Sequence, residues 1–231
     1  MFSFKQKEKY KSSFYAYIIH YTPLKNRRKY LESKLKIEKI PHEFITNFDR
    51  ENLKSKQLKV CNLNKLSLAN CAINLAHIEA YRRICYSLHS YNLILEDDVL
   101  LSSSFRFRLD KSLKNLPLDY DMLFIGNGCY FHIPFLKRLL NPFQRIFLKG
   151  NQASSWGGDG ATRCVDSYFM SQHCAKKIIA YVESLPLGSV GENIDLWLNQ
   201  VIRKLDLKVY WLEPTLVTQG TQTGAYQSSH G

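Results

Sequence analysis

Tyr91-Asn92-Leu93-Ile94-Leu95-Glu96-Asp97-Asp98-Val99 is the stretch from which the fold is read. Tyr91–Leu95 reads as a five-residue strand that runs straight into three carboxylates, with no turn residue between. A strand so apolar is predicted to lie inside a sheet covered by helices on both faces. In open α/β sheets, ligands bind at the carboxyl ends of the strands. Three adjacent carboxylates there repel one another and lose hydration, which is unfavourable without a compensating cation. A divalent metal bridging to a diphosphate suits them, because it takes hard oxygen ligands and keeps positions open for phosphate oxygens. The plainer alternative is an acidic start to a helix capped by Ser102 or Ser104.

Outward from this strand, the pattern alternates. Phe14–His20 reads as a buried strand and Leu24–Lys36 as a basic amphipathic helix. Glu43–Thr46 is a short second strand, closed by the turn-like Asn47-Phe48-Asp49-Arg50. Ser67 is a plausible cap for a long helix over Leu68–Leu88, with Leu68, Ala72, Leu75, Ala76, Ile78 and Ile84 on its apolar face. Tyr120–Ile125 and Cys164–Met170 read as strands, Gln172–Glu183 as a helix capped by Ser171, and Asn193–Leu205 as a helix. Strand Lys208–Leu212 and a polar tail from Thr218 follow. Strands alternating with helices predict the α/β class.

With 231 residues, 45% apolar and 23% charged, the chain has ordinary globular composition and enough length to bury a core without staples. No apolar stretch approaches the ~18–20 residues of a membrane span, and Phe14–Ile19 is too short for a signal-peptide core. Collagen, disorder and a transmembrane bundle are excluded. Thirty-two Lys and Arg against 20 Asp and Glu leave a net charge of +12. Residues 1–60 hold 15 basic and 6 acidic side chains, so +9 of that excess lies there. Such a field attracts nucleic acid, anionic membranes or phosphorylated ligands. The six cysteines, at 61, 71, 85, 129, 164 and 174, have no C-x-x-C spacing and read as small core hydrophobes. Without a secretory signal, reduced thiols and a cytoplasmic location are expected.

These residues resemble glycosyltransferase family 25, which includes lipooligosaccharide and collagen galactosyltransferases. The resemblance rests on Ala16–Arg28 (AYIIHYTPLKNRR), Asn47-Phe48-Asp49, Leu66-Ser67-Leu68, Ala76-His77-Ile78 and Ile94–Asp98. It continues through Arg163–Ser171 (RCVDSYFMS) with Ala175, then Ile194-Asp195, Glu213–Gln219 (EPTLVTQ) and Ser228-Ser229. The chain departs from the family pattern at His20, where asparagine is usual, and at Gly191-Glu192-Asn193, where a proline usually precedes the aspartate. The resemblance implies a GT-A-type nucleotide-sugar-binding sheet: a basic extension at residues 1–13 and a single glycosyltransferase domain at residues 14–231. It also implies an inverting transferase using a UDP-sugar and a divalent metal, manganese or magnesium. A hexose, galactose or glucose, would move to a hydroxyl of a glycan, glycolipid or glycoprotein.

The chemistry then sorts the residues. Asp98 is the first-choice metal ligand, with Glu96 contributing directly or through water and ribose. Asp97 counts among the nucleotide contacts, although alternation along an extended segment turns it inward. His20, Thr22, Asp49 and Gln219 are further nucleotide contacts. Arg27, Arg28 and Arg163 suit the diphosphate, and Asp166 the donor sugar's hydroxyls. Asp195, early on a helix, is the expected general base, with Glu192 in reserve. His77 reads as a satisfied, half-buried histidine, and Trp156–Gly160 (WGGDG) as a mobile acceptor lid. The stretch from Met122 to Gly158 has no acidic residue; within it, Leu136–Leu140 and Phe143–Lys149 combine apolar and cationic side chains. They predict either peripheral membrane docking or packing on the sheet. Two other classes compete: a metal-dependent nuclease or nucleic-acid-binding protein, favoured by the basic charge, and a non-catalytic sugar-binding protein. Neither draws on a recognised motif in the chain.

Overall fold

The computed structural model describes residues 14–150, 158 and 160–228. The basic extension, most of the expected acceptor lid and Ser229 lie outside the described residues. Seven strands form the central sheet: β1 (Phe14–Ile19), β2 (His42–Ile45), β3 (Tyr91–Glu96), β5 (Met122–Phe124), β6 (Ile146–Lys149), β7 (Ser167–Met170) and β8 (Val209–Leu212). Their spatial order is β2-β1-β3-β7-β5-β8-β6. β1, β2 and β3 run parallel, as do β5 and β8, while β7 lies antiparallel between β3 and β5 and β6 is an antiparallel edge. Two short strands, β4 (Val99–Leu101) and β9 (Val217–Gln219), make a separate antiparallel pair.

The described residues also form seven α-helices: α1 (Lys25–Ile37), α2 (Ser55–Leu58), α3 (Leu68–Cys85), α4 (Phe105–Leu113), α5 (Phe135–Leu139), α6 (Gln172–Ser184) and α7 (Ile194–Leu205). Successive strand residues point to opposite faces, and the core divides accordingly. Tyr17, Ile19, Ile94, Phe124 and Met170 cluster with the buried residues of α3, α6 and α7. Ala16, Ile18, Leu93, Leu95 and Phe169 cluster with those of α1 and α4. Each fully buried Ile, Leu, Phe or Met among them contributes about 1.5–3 kcal/mol. The predicted α/β class, with helices on both faces, is the architecture found.

The expected caps hold where a side-chain oxygen is available. Ser67 accepts from Asn70 N and Ser171 from Cys174 N; Asn193, read from the sequence as the first helical residue, is a further cap and accepts from Leu196 N. α3 stops at Cys85 rather than Leu88, because Tyr86 and Leu88 are exposed and Gln172 takes the carbonyls of Cys85 and Ser87. Ser104 does not cap α4; the Glu38 carboxylate from the end of α1 accepts from Phe105 N and Arg106 N instead. β7 starts at Ser167 rather than Cys164, because residues before it serve a side-chain lock described below. Cys129 and Cys164 pair as a disulfide, a correction to the reading of all six cysteines as reduced core residues. Cys61, Cys71 and Cys174 are buried and free, as that reading expected. Among the described residues, no helix is long and apolar enough to cross a membrane.

Candidate active site

Parallel pairing of β1 with β3 sets Ile19 opposite Glu96, so the chain emerging from β1 meets the carboxylates at once. Asp97 turns inward, as alternation predicts: it accepts from His20 Nδ1 at 2.8 Å, Arg27 Nη1 at 2.8 Å and Tyr21 N at 3.1 Å. These protein partners occupy the carboxylate that sequence reasoning placed among the nucleotide contacts. Thr22 and Asp49 bond one another through the Thr22 N–H at 3.0 Å and its hydroxyl, which ties the loop after β1 to that after β2.

Asp98 faces the other way. Its Oδ2 accepts from the Thr221 hydroxyl at 2.7 Å, while its buried Oδ1 has no hydrogen-bond partner among the described residues. β4 pairs with β9, setting Val99 opposite Gln219, and Gly220 N donates to Asp98 O at 2.7 Å. A Cβ on Gly220 would stand 2.7 Å from that carbonyl and 2.4 Å from the Tyr226 ring, so only glycine fits. Gly126 is needed for the same reason: a Cβ there would meet Asp166 Oδ2 at 2.4 Å.

Asp166 sits fully buried. Its Oδ2 accepts from Ser167, and its Oδ1 has no hydrogen-bond partner among the described residues. Burial drives the Glu96 carboxyl well above the ordinary range, and Asp98, Asp195, Asp166 and Asp97 add like-charge repulsion. Burial raises Asp166 in the same way, with Asp98 and Asp195 contributing. It raises Asp98 too, against the bond from Thr221. These groups therefore form one electrostatic cluster that holds more protons than free carboxylates would. A cation binding there relieves both the repulsion and the unpaired oxygens.

His77 is deeper than expected, with no exposed surface. Its Nδ1 meets the Tyr168 hydroxyl at 2.9 Å, its Nε2 lies 3.4 Å from Glu96, and Tyr168 meets Tyr81 at 2.8 Å. Burial lowers its pKa to about 3, so it is neutral. With the proton on Nε2 facing Glu96, Nδ1 accepts from Tyr168, and the polar chain is satisfied.

Three adjoining cavities open here. One of about 60 Å³ is lined by His20, Tyr21, Phe48, Ala69 and Ala72. One of about 100 Å³ is lined by Arg27, Glu96, Asp98, Gln219, Thr221 and Ser228. The third, about 450 Å³, shares Glu96, Gln219 and Ile73 with the second and adds Asp195, Asn70 and Asn74. Of the predicted site residues, His20, Arg27, Glu96, Asp97, Asp98, Asp195 and Gln219 line one or another of these cavities. Glu192 contributes its backbone carbonyl, to Asn74 Nδ2.

Two arginines depart from expectation. Arg28 is on the surface, paired with Glu32 at 2.8 Å and stacked 4.6 Å from the Phe44 ring. Arg163 has no exposed surface; its guanidinium donates to Phe131 O, Leu212 O and the Glu213 carboxylate, and stacks on Trp211. This lock holds the loop before β7 and leaves nothing for a diphosphate. Arg163→Met is therefore expected to destabilise the fold by about 3–5 kcal/mol, the range for breaking a buried pair. Urea denaturation measures it; unchanged stability with lost nucleotide affinity would restore the diphosphate role. Thr221 and Tyr226 are hidden in what reads as a polar tail, where the sequence beyond Gln219 marks only Ser228-Ser229. Tyr226 stacks 5.1 Å over Arg27, and Arg27 donates to Gln227 O, which brings the tail across the site.

Fold and sequence together define the class of this chain, a glycosyltransferase. Residues 14–197 match the family described as glycosyltransferase family 25 (LPS biosynthesis protein), and the chain belongs to that family. No curated protein matches it. Solved structures of similar outline include a glycosyltransferase involved in the glycosylation of the major capsid of PBCV-1. That likeness has 8% identity and a TM-score of 0.47, and covers 90% of this chain and 94% of that one. Others are the inositol-1-phosphate CTP transferase from T. maritima (12% identity, TM-score 0.40, 90% and 69% covered) and mouse xyloside xylosyltransferase 1 (11%, 0.36, 85% and 76%).

Proposed function

We propose that the chain is a metal-dependent, inverting hexosyltransferase that moves galactose or glucose from a UDP-sugar to a hydroxyl of a glycan, glycolipid or glycoprotein. The observation that carries this reading is the carboxylate cluster at the strand ends, with Asp98 and Asp166 buried and Glu96 and Asp195 half-buried, where Glu96, Asp98 and Asp195 line adjoining cavities. Among the described residues, no three His, Cys, Asp or Glu side chains form a ready-made metal site. That fits a hard cation held by one or two carboxylates and completed by substrate phosphates. Asp98, with its unpaired Oδ1, and Glu96 would hold manganese or magnesium. When bound, the cation supplies neutralisation of the charge growing on the departing diphosphate.

The chain's own groups do the rest. The small aromatic cavity suits a uracil ring, with the buried, unpartnered Nε2 of His20 beside it. Arg27, held by Asp97, turns its positive charge to the cavity where a diphosphate would lie. Asp166, whose buried Oδ1 has no hydrogen-bond partner among the described residues, would accept from the donor sugar's hydroxyls. Asp195 takes the proton of the acceptor hydroxyl as its oxygen bonds to the anomeric carbon. The bond from that carbon to the diphosphate oxygen breaks on the opposite face, and UDP leaves with the electron pair. A screen of UDP-sugars for metal-dependent UDP release tests this. UDP-galactose or UDP-glucose should release UDP with manganese and not with chelator; release from neither sends the reading back to the non-catalytic alternative.

We also propose that α5 docks on anionic lipid. The acid-free stretch divides: Ile146, Phe147 and Lys149 are buried in β6, so that part packs on the sheet. Phe135, Leu136, Leu139, Leu140 and Phe143 are exposed, on and just after a helix that also carries Lys137 and Arg138. Each basic residue near an anionic leaflet contributes about 1 kcal/mol. Flotation is expected with anionic but not neutral liposomes and should fade with salt; no flotation at low salt removes the docking.

A further inference from the structure

The cavity of about 450 Å³ lies between the N-terminal turns of α3 and α7, and its lining is unlike the rest of the molecule. Among the described residues, no basic side chain lines it, and the charged ones that do are Glu96 and Asp195. The remaining polar lining is amide and hydroxyl: Ser67, Asn70, Asn74, Asn193 and Gln219. Two of these spend one atom on the fold and keep another. Ser67 Oγ accepts from Asn70 N and Asn193 Oδ1 from Leu196 N, which leaves the Ser67 proton and the Asn193 amide N–H groups as donors.

Asn74 is the sharper case. It has no exposed surface, and its Nδ2 donates to Glu192 O at 2.8 Å. Its Oδ1 is buried with no hydrogen-bond partner among the described residues. A buried amide oxygen left unpaired is unfavourable, and the cavity that Asn74 lines is where a donor can reach it. Asn70 stands one helical turn earlier, on the same face of α3. The cavity thus offers both donors and acceptors, as the hydroxyls of a sugar require. With the divalent cation on Glu96 and Asp98 engaged by the donor's phosphates, an anionic sugar would meet the Asp195 carboxylate with no basic side chain among the described lining residues to offset it. An amino sugar would pair with the carboxylate needed as base.

We propose that this cavity binds the acceptor as an uncharged, hydroxyl-rich pyranose, read by Asn70 and Asn74 and presented to Asp195. The proposal rests on the transferase reading above and narrows its acceptor. Saturation-transfer NMR on the full chain, with and without UDP and manganese, tests it. The probes are methyl β-galactoside and methyl β-glucoside against methyl β-glucuronide and glucosamine. The neutral glycosides should bind about tenfold or more tighter than the charged sugars. Asn74→Leu, which keeps the volume and removes the oxygen, should weaken neutral binding about tenfold. Asn70→Ala, at a half-exposed position, should weaken it as well and controls for misfolding. Glucuronide or glucosamine binding as tightly as the neutral glycosides overturns the proposal, as does neutral binding indifferent to both variants. UDP binding with no glycoside binding overturns this proposal alone, whereas glycoside binding with no UDP binding keeps the sugar site and removes the donor reading.

Discussion

Asp195→Asn is expected to lower turnover about 10²–10⁴-fold, the range for a lost general base, with the Kd for UDP and manganese unchanged. Asp195 sits in the first turn of α7, at the wall of the large cavity, on the side away from Arg27 and Thr221. Amide for carboxylate keeps the volume and the helix start but cannot take a proton. Steady-state kinetics with the best donor, beside calorimetry of UDP binding, separates the roles. Equal loss of donor affinity would move Asp195 to the donor side and leave Glu192 as the candidate base.

Asp98→Asn should weaken metal-dependent UDP binding about a hundredfold or more, since changes beyond the direct ligands already cost 10–100-fold. The same variant reads the apo state. Burial raises the Asp98 carboxyl, so the native protein holds a proton that the unfolded chain releases. That proton's stabilising contribution is present below the unfolded value and is lost as pH rises through the native one. Asparagine does not titrate. Without metal, the variant should therefore melt above wild type at pH 8, with the gap closing on acidification. UDP–manganese binding like wild type's would refute the ligand assignment; a gap that widens in acid would refute the crowding argument.

What the sequence made legible is what local pattern controls. The continuous apolar strands, the caps at Ser67 and Ser171, and the acidic end of β3 all express themselves within a few residues. The place of Asp195 early on a helix and the inward turn of Asp97 were legible for the same reason. Arg163 was not, because its partners Phe131, Leu212 and Glu213 lie 32, 49 and 50 residues away. A buried arginine and a phosphate-binding one have the same letter, and only tertiary packing tells them apart. β4 and β9 are three residues each, too short for periodicity to register. The Cys129–Cys164 pairing and the burial of Lys149 likewise depend on loops meeting from distant parts of the chain.

The clasp of β4 and β9 gives the site an order of assembly. Arg27 is bonded to Gln227 O across 200 residues, and Asp98 to Thr221 across 123. On a ribosome, the strand end bearing the carboxylates emerges long before the segment that completes it. A nascent chain can fold β1 to β3 and still lack the Gln219–Ser228 wall. A chain cut after Gln219 would keep every strand of the central sheet yet lack the wall at residues 220–228, and solubility would not tell it from the chain that has that wall.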